Sequence, residues 1–158
     1  MNPIVENALN ELIVSEKNNI AFFRQAAEMV HDDRTRQVFE HLACKGIGYL
    51  HVFSMIYLGS DTDNISKFLT KQPPDNNYPP YRALLAKDDS CSCEQQALEL
   101  SLQEVHSSIN LYTTLENAFR NPGICAIYRR ALRKAYRYYE IIQEEYIRIL
   151  GLFEAATA

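Results

Sequence analysis

A chain of 158 residues has room for one domain with a real core and too little for two ordinary ones. With 47% hydrophobic and 23% charged residues it is expected to fold, and a net charge of −4 gives no global reason to expect a nucleic-acid partner. No apolar stretch approaches the ~18–20 residues that a transmembrane helix needs. The first twelve residues carry Glu6 and Glu11 in place of a basic region and an apolar run, so a secretory signal is not expected and a cytoplasmic protein is.

Residues 3–31 predict one long helix. Val5, Leu9, Leu12, Ile13, Glu16, Ile20, Phe23 and Ala27 recur at three- and four-residue steps, and Pro3 suits a first helical turn. His31-Asp32-Asp33 breaks the pattern, and its aspartates can cap the next helix. That second helix is expected over 33–58, with Phe39, Leu42, Ala43, Gly46, Tyr49, Leu50 and Phe53 on one face and Gly59-Ser60 at its end. Residues 60–89 hold two Pro-Pro pairs, Asn-Asn and aspartate clusters, and read as a long crossover with short helical turns at 65–70 and 81–87. A third helix over 92–119 is entered through a Ser92/Gln95 capping box. Asn121-Pro122-Gly123 is a tight break, and a fourth helix, dense in Tyr and Arg, covers 124–150. Two helical hairpins, 3–58 and 92–150, joined by one long crossover predict a single all-α domain over 1–158. The arrangement expected is an antiparallel four-helix bundle.

The second hairpin repeats the first at an offset of 89 residues. Ala8-Leu9 maps to Ala97-Leu98, Ile20 to Ile109, Phe23 to Tyr112, Phe39 to Tyr128, Lys45 to Lys134, Tyr49 to Tyr138 and Tyr57 to Tyr146. One ungapped offset aligns both helices of each hairpin and the break between them, which points to an internal duplication. Of the four cysteines, Cys91-Ser-Cys93 is spaced too tightly for a CxxC metal pair, and Cys44, inside a helix, is expected to be a buried thiol acting as a small hydrophobe. Reduced, structural cysteines are expected throughout, with a regulatory disulfide between Cys91 and Cys93 as the lesser reading.

Glu16-KNNIAF-Phe23 resembles the first helix of rubrerythrin-type members of the ferritin-like superfamily, where a metal-binding Glu stands seven residues before an aromatic. Phe39 and Leu42-Ala43 resemble the lead into the family's second-helix Glu-x-x-His pair, whose three-residue spacing puts carboxylate and imidazole on one helical face. The resemblance covers both hairpins and not the crossover, and it implies a di-iron centre in the bundle core. In its register the second-helix ligand positions hold Gly46 and Tyr49, the third-helix position holds Val105, and the fourth-helix pair falls on Ala135 and Tyr138. Of six expected ligands only Glu16 survives, too few for two hard cations. Glu104, beside Val105, can join Glu16 only if a π-bulge turns it inward. A buried carboxylate finds donors or takes a proton, so Glu16 is expected to accept a hydrogen bond from the hydroxyl of Tyr49 or Tyr138.

The remaining constellations are weaker. His31, His41 and His106 are scattered over helix ends and outer faces, and His51 and Glu140 lie two residues past ligand positions, facing solvent or a partner. Arg129, Arg130, Arg133, Lys134 and Arg137, followed by Glu140, Glu144 and Glu145, read as a solvated face with local ion pairs, or more sharply as a site for an anionic partner. Tyr128, Tyr136, Tyr139 and Tyr146 point in several directions round the fourth helix, so some are expected at a homodimer interface. The chain holds no CxxC…CxxC of the rubredoxin-like domain that supplies electrons in full-length rubrerythrins, and a complete peroxide-reducing enzyme is not expected. Two functional readings remain. The favoured one is a ferritin-like protein without its di-iron ligands and without a cofactor, a non-catalytic binding, structural or regulatory module whose partner the sequence does not name. The other is a rubrerythrin-like oxidoreductase that binds iron through a non-standard ligand set.

Overall fold

The computed structural model describes residues 3–58, 83–84 and 92–157. They form four long helices, α1 (Pro3–Met29), α2 (Asp33–Leu58), α3 (Cys93–Ala118) and α4 (Pro122–Thr157), with no strand among the described residues. α1 packs along α2 and α3 along α4, and α1–α3 and α2–α4 contacts join the two pairs. No helix among the described residues is long and apolar enough to cross a membrane. The crossover expected at 60–89 lies outside the described residues except for Ala83 and Leu84, which are helical, with Leu84 fully buried in the core.

Each helix begins and ends for a local reason. The backbone N–H groups of His31 and Asp32 donate to the Glu94 carboxylate of α3 (2.5 and 2.8 Å), so α1 stops at Met29, two residues short of the expected end. Asp32 Oδ1 then accepts the N–H of Thr35 at 2.9 Å and caps α2. Ser92 caps α3, its side chain accepting from the Gln95 N–H at 3.1 Å, as the capping-box reading requires. At the third junction Asn121 Oδ1 accepts from Gly123 N–H (2.9 Å), and Pro122 takes the first position of α4, where its missing N–H costs nothing. α4 runs seven residues past the expected end at 150. Gly151 is exposed, and the residues after it carry no proline that would stop the helix.

The α1 residues facing inward, Ala8, Leu9, Leu12, Ile13, Glu16, Ile20, Phe23 and Ala27, keep the helical spacing read from sequence. The apolar core falls into two clusters. One gathers Phe22, Phe23, Phe39, Leu98, Tyr138 and Ile142; the other gathers Leu9, Leu12, Phe53, Tyr112 and Tyr128. Along α1 the clusters adjoin between Ile20 and Phe22, along α2 between Ala43 and Leu50, and along α4 between Ala131 and Ala135. Gly46 and Lys134 fall at the α2 and α4 boundaries, Gly46 packs against Ile20, and Glu16, one turn before Ile20, pairs with Lys134, so the three mark a waist at mid-bundle. Cys44 is exposed, contrary to the expectation of a buried thiol, because it lies one residue off the Ala43 stripe that faces the core. Cys93 is also exposed, and Cys91 lies outside the described residues.

Candidate functional site

Glu16 is 1% exposed and turned into the waist, as expected. Its donors differ from those expected. The Tyr112 hydroxyl of α3 donates to Glu16 Oε1 at 2.8 Å, with the Ser15 hydroxyl 2.9 Å from the same phenol oxygen. The second carboxylate oxygen, Oε2, pairs with Lys134 Nζ, whose side chain is 12% exposed. The ammonium is held over two aromatic faces as well, 4.8 Å from the Tyr49 ring centroid and 4.9 Å from that of Tyr138. The Tyr138 hydroxyl does not reach Glu16, because it donates to the Leu42 carbonyl at 3.0 Å. The arrangement is a buried ion pair with one phenol on the carboxylate and two aromatic faces on the ammonium.

The electrostatics follow from that geometry. Burial, and then the charge of Glu16, push the Tyr112 phenol well above its ordinary range, so it stays protonated and keeps donating. Burial followed by Glu16 also raises the Tyr138 phenol, which stays neutral. Both phenols therefore stay neutral beside the Glu16–Lys134 pair.

The other ligand-register positions bring no donors. Val105 and Ala135 are buried and apolar, and Gly46 is packed so closely that an added Cβ would lie 2.9 Å from Ile20 Cγ1 and 3.8 Å from the Tyr138 hydroxyl. Ile20 thus occupies the space that a Cβ at position 46 would need, and the Tyr138 hydroxyl lies at ordinary contact distance from it. Glu104 is 2% exposed, inward without any π-bulge, since α3 is α-helical throughout. Position 104 lies on the inward face of α3 with Ser101 and Ser108, and burial pushes its carboxyl up to about 7. One turn away Asn19 Nδ2 donates to Ser108 Oγ at 3.3 Å. Among the described residues no three His, Cys, Asp or Glu side chains converge as a metal site would require.

Sequence reasoning misplaced several other groups. Lys134 leaves the expected basic face for the waist, while Arg129, Arg130, Arg133 and Arg137 stay exposed and Arg129 pairs with Glu116 at 2.6 Å. Glu145, read as part of the same solvated face, is 3% exposed and accepts from the Thr35 hydroxyl at 2.9 Å. Arg148 bridges Glu145 and Asp32 (2.6 Å to the latter), tying α4 to the α1–α2 turn. The Thr35 N–H, reinforced by Arg148, holds Asp32 below the usual carboxylate range. Tyr128, offered as an interface residue, is fully buried and donates to the Ala8 carbonyl at 3.1 Å. Tyr139 and Tyr146 are half-buried, Tyr146 donating to Glu99 at 2.7 Å, which leaves Tyr136 as the exposed member of that set. His31, His41, His51, His106 and Glu140 are all exposed.

A signal for Lys134 was present. Among the residues matched by the 89-residue offset, Lys45 and Lys134 are the one charged identity, and a buried, ionised glutamate calls for a cation. Comparison of the chain with family models, with curated proteins and with solved structures found no match to any of them.

Proposed function

We propose that this is an antiparallel, ferritin-like bundle related to rubrerythrins in which a lysine ammonium has replaced the di-iron centre, leaving a non-catalytic binding or structural module. The observation that carries the reading is Lys134. A cation belonging to the protein sits at mid-bundle, neutralises the one surviving ligand-register carboxylate and lies between the two tyrosines that stand in for histidines. The residues present do not fit a di-iron centre. Glu16 is already engaged by an ammonium and a phenol, Tyr138 donates to a backbone carbonyl, and Gly46, Val105 and Ala135 carry no donor.

Hydrogen bonds between helices support the antiparallel arrangement. α2 and α4 meet at Thr35–Glu145 and Leu42–Tyr138, and α1 and α3 at Glu16–Tyr112 and Asn19–Ser108, so in each pair one number rises as the other falls. The duplication gains support too. Asn19 and Ser108, which are bonded to each other, are equivalent positions at the 89-residue offset, as are the two junction caps Asp32 and Asn121. The offset also accounts for Lys134 turning inward where Lys45 does not. Lys134 faces Glu16, whereas its counterpart Lys45 corresponds to a pairing with Val105, an apolar residue, and stays in solvent.

Burial of Glu104 is the observation that favours the metal-binding alternative, since it adds a second inward carboxylate. Elemental analysis of protein purified without chelator decides between the two. Substoichiometric iron, manganese and zinc, unchanged in Glu16→Gln, is the expected result. Stoichiometric metal that is lost with Glu16 overturns the proposal.

A further inference from the structure

A groove of about 600 Å³ opens between α2 and α4 on the outer side of the waist. Its volume lies within the range of small-molecule sites, roughly 300–1,000 Å³. The two buried residues in its lining are Leu42 and Tyr138, its walls carry His41, Tyr49, Val52 and Ile141, and its cationic groups are Lys45, Lys134 and Arg137. Among the described residues no acidic side chain lines it. That is unusual for a chain of net charge −4. A second cavity, on the α1 side of α2, is lined by Arg24, Arg36, Glu28 and Glu40 and is balanced in sign.

Among the described residues the charges of the groove are not all paired. Lys134 is neutralised by Glu16 and shielded by two rings. Lys45 on one wall and Arg137 on the other are exposed, and neither makes an ion pair among the described residues. Val52, 53% exposed, lies two turns beyond Lys45 on α2, with Tyr49 between them. From His41 to Val52 the α2 wall spans eleven residue steps, roughly 16 Å at the helical rise.

We propose that this groove binds an amphipathic organic anion, its carboxylate or phosphate head held between Lys45 and Arg137 and its apolar body laid along Tyr49 and Val52. A guanidinium and an ammonium on opposite walls suit a small anionic head, and an aromatic and branched-aliphatic floor suits a hydrocarbon body. The inference gives a ligand class to the proposed binding module and in that sense rests on it.

Titration of the full chain with octanoate, octyl phosphate and 1-octanol, followed by amide NMR, tests it. One or both anions should bind saturably and shift amides within 41–52 and 134–141, with octanol at least ~10-fold weaker, about the 1.4 kcal/mol that a head-group contact supplies. The ranking of the two anions identifies the head group. K45E/R137E should weaken anion binding at least ~10-fold while circular dichroism stays unchanged, both side chains being at the surface. If that variant misfolds, K45Q/R137Q gives the same reading with a smaller loss. Absence of saturable anion binding, octanol binding as tightly as octanoate, or undiminished binding by a folded charge variant overturns the proposal. Anion binding together with stoichiometric iron would leave the groove standing and remove the metal-replacement reading. Absence of both metal and binding would remove the groove alone.

Discussion

Replacing Lys134 by methionine tests whether the waist is held by the ion pair or by its shape. Methionine keeps most of the stem and its contacts with the Tyr49 and Tyr138 rings but removes the ammonium. Glu16, 1% exposed, then keeps one charge-assisted donor among the groups described at the site, the Tyr112 hydroxyl. Breaking a buried pair by removing one partner costs about 3–5 kcal/mol. Lys134 is 12% exposed and so can admit some water, which places the expectation at the lower end, about 3 kcal/mol. For a chain of this length that corresponds to a fall of roughly 6–12 °C in Tm. The double variant Glu16→Gln/Lys134→Met removes both charges, and since an uncharged replacement of a buried pair is often neutral it should lie within about 1 kcal/mol of the parent. Urea unfolding of the parent, both single variants and the double variant gives the coupling, expected to be at least ~2 kcal/mol. A Lys134→Met chain within about 0.5 kcal/mol of the parent, or single-variant losses that add, would refute the reasoning. The waist would then be held by packing, and Lys134 would lie over Glu16 without stabilising it.

Further outcomes are expected at Glu104 and at two glycines of α2. Burial pushes the Glu104 carboxyl from an ordinary 4.5 up to about 7, so the folded chain keeps a proton that the unfolded chain releases. Its contribution to stability is complete below about pH 4.5 and is lost as pH rises through about 7, a span on the order of 3 kcal/mol. Glu104→Gln should flatten that slope and be the more stable chain at about pH 8, read from urea midpoints at about pH 5 and about pH 8, and a variant that tracks the parent at both would count against it. At the glycines, Gly48→Ala places a methyl in open space and should stabilise α2 by up to about 1 kcal/mol. Gly46→Ala meets Ile20 at 2.9 Å and should end roughly 1–3 kcal/mol below it by thermal unfolding; equal stability would mean that Ile20 yields without cost.

The helices were legible because each carries its own period and its own punctuation. The stripe from Leu9 to Ala27, the Asp32 and Asn121 caps, Ser92 and Pro122 are local signals, and local signals survive folding. Glu16 was legible as a buried acid because it interrupts an apolar stripe in register. The donors to Glu16 were not legible, because they come from α3 and α4, 96 and 118 residues away, and depend on how far each side chain reaches. Tyr138 was a reasonable partner by register, yet its phenol lies over the Leu42 carbonyl once Gly46 leaves room for it. Lysine offers a long stem with a charge at its tip. Position 134, on the flank of α4, could therefore deliver its ammonium to the waist or to solvent, and a helical wheel does not choose between them. Glu145 and Glu104 were misread for the same reason. A period gives the direction of a Cβ, and neighbours decide whether a carboxyl at that angle is covered.

The waist and the groove are connected through one substitution. On the proposed duplication, the pair Glu16 and Lys134, which joins the two halves, corresponds to Val105 and Lys45, with each residue exchanged for its counterpart in the other half. Where the acid is present, the lysine folds inward and its charge is cancelled. Where the acid is valine, a lysine turned inward would face an apolar side chain, and burying an unpaired ammonium is far costlier than leaving it in water. Lys45 therefore stays outside, on the α2 wall across from Arg137 on α4, where no ion pair among the described residues takes up its charge. The same change that leaves the waist with a single carboxylate thus supplies the groove with one of its two uncompensated cations. An acid restored at position 105 should draw Lys45 inward and weaken anion binding in the groove without any change in the residues that line it.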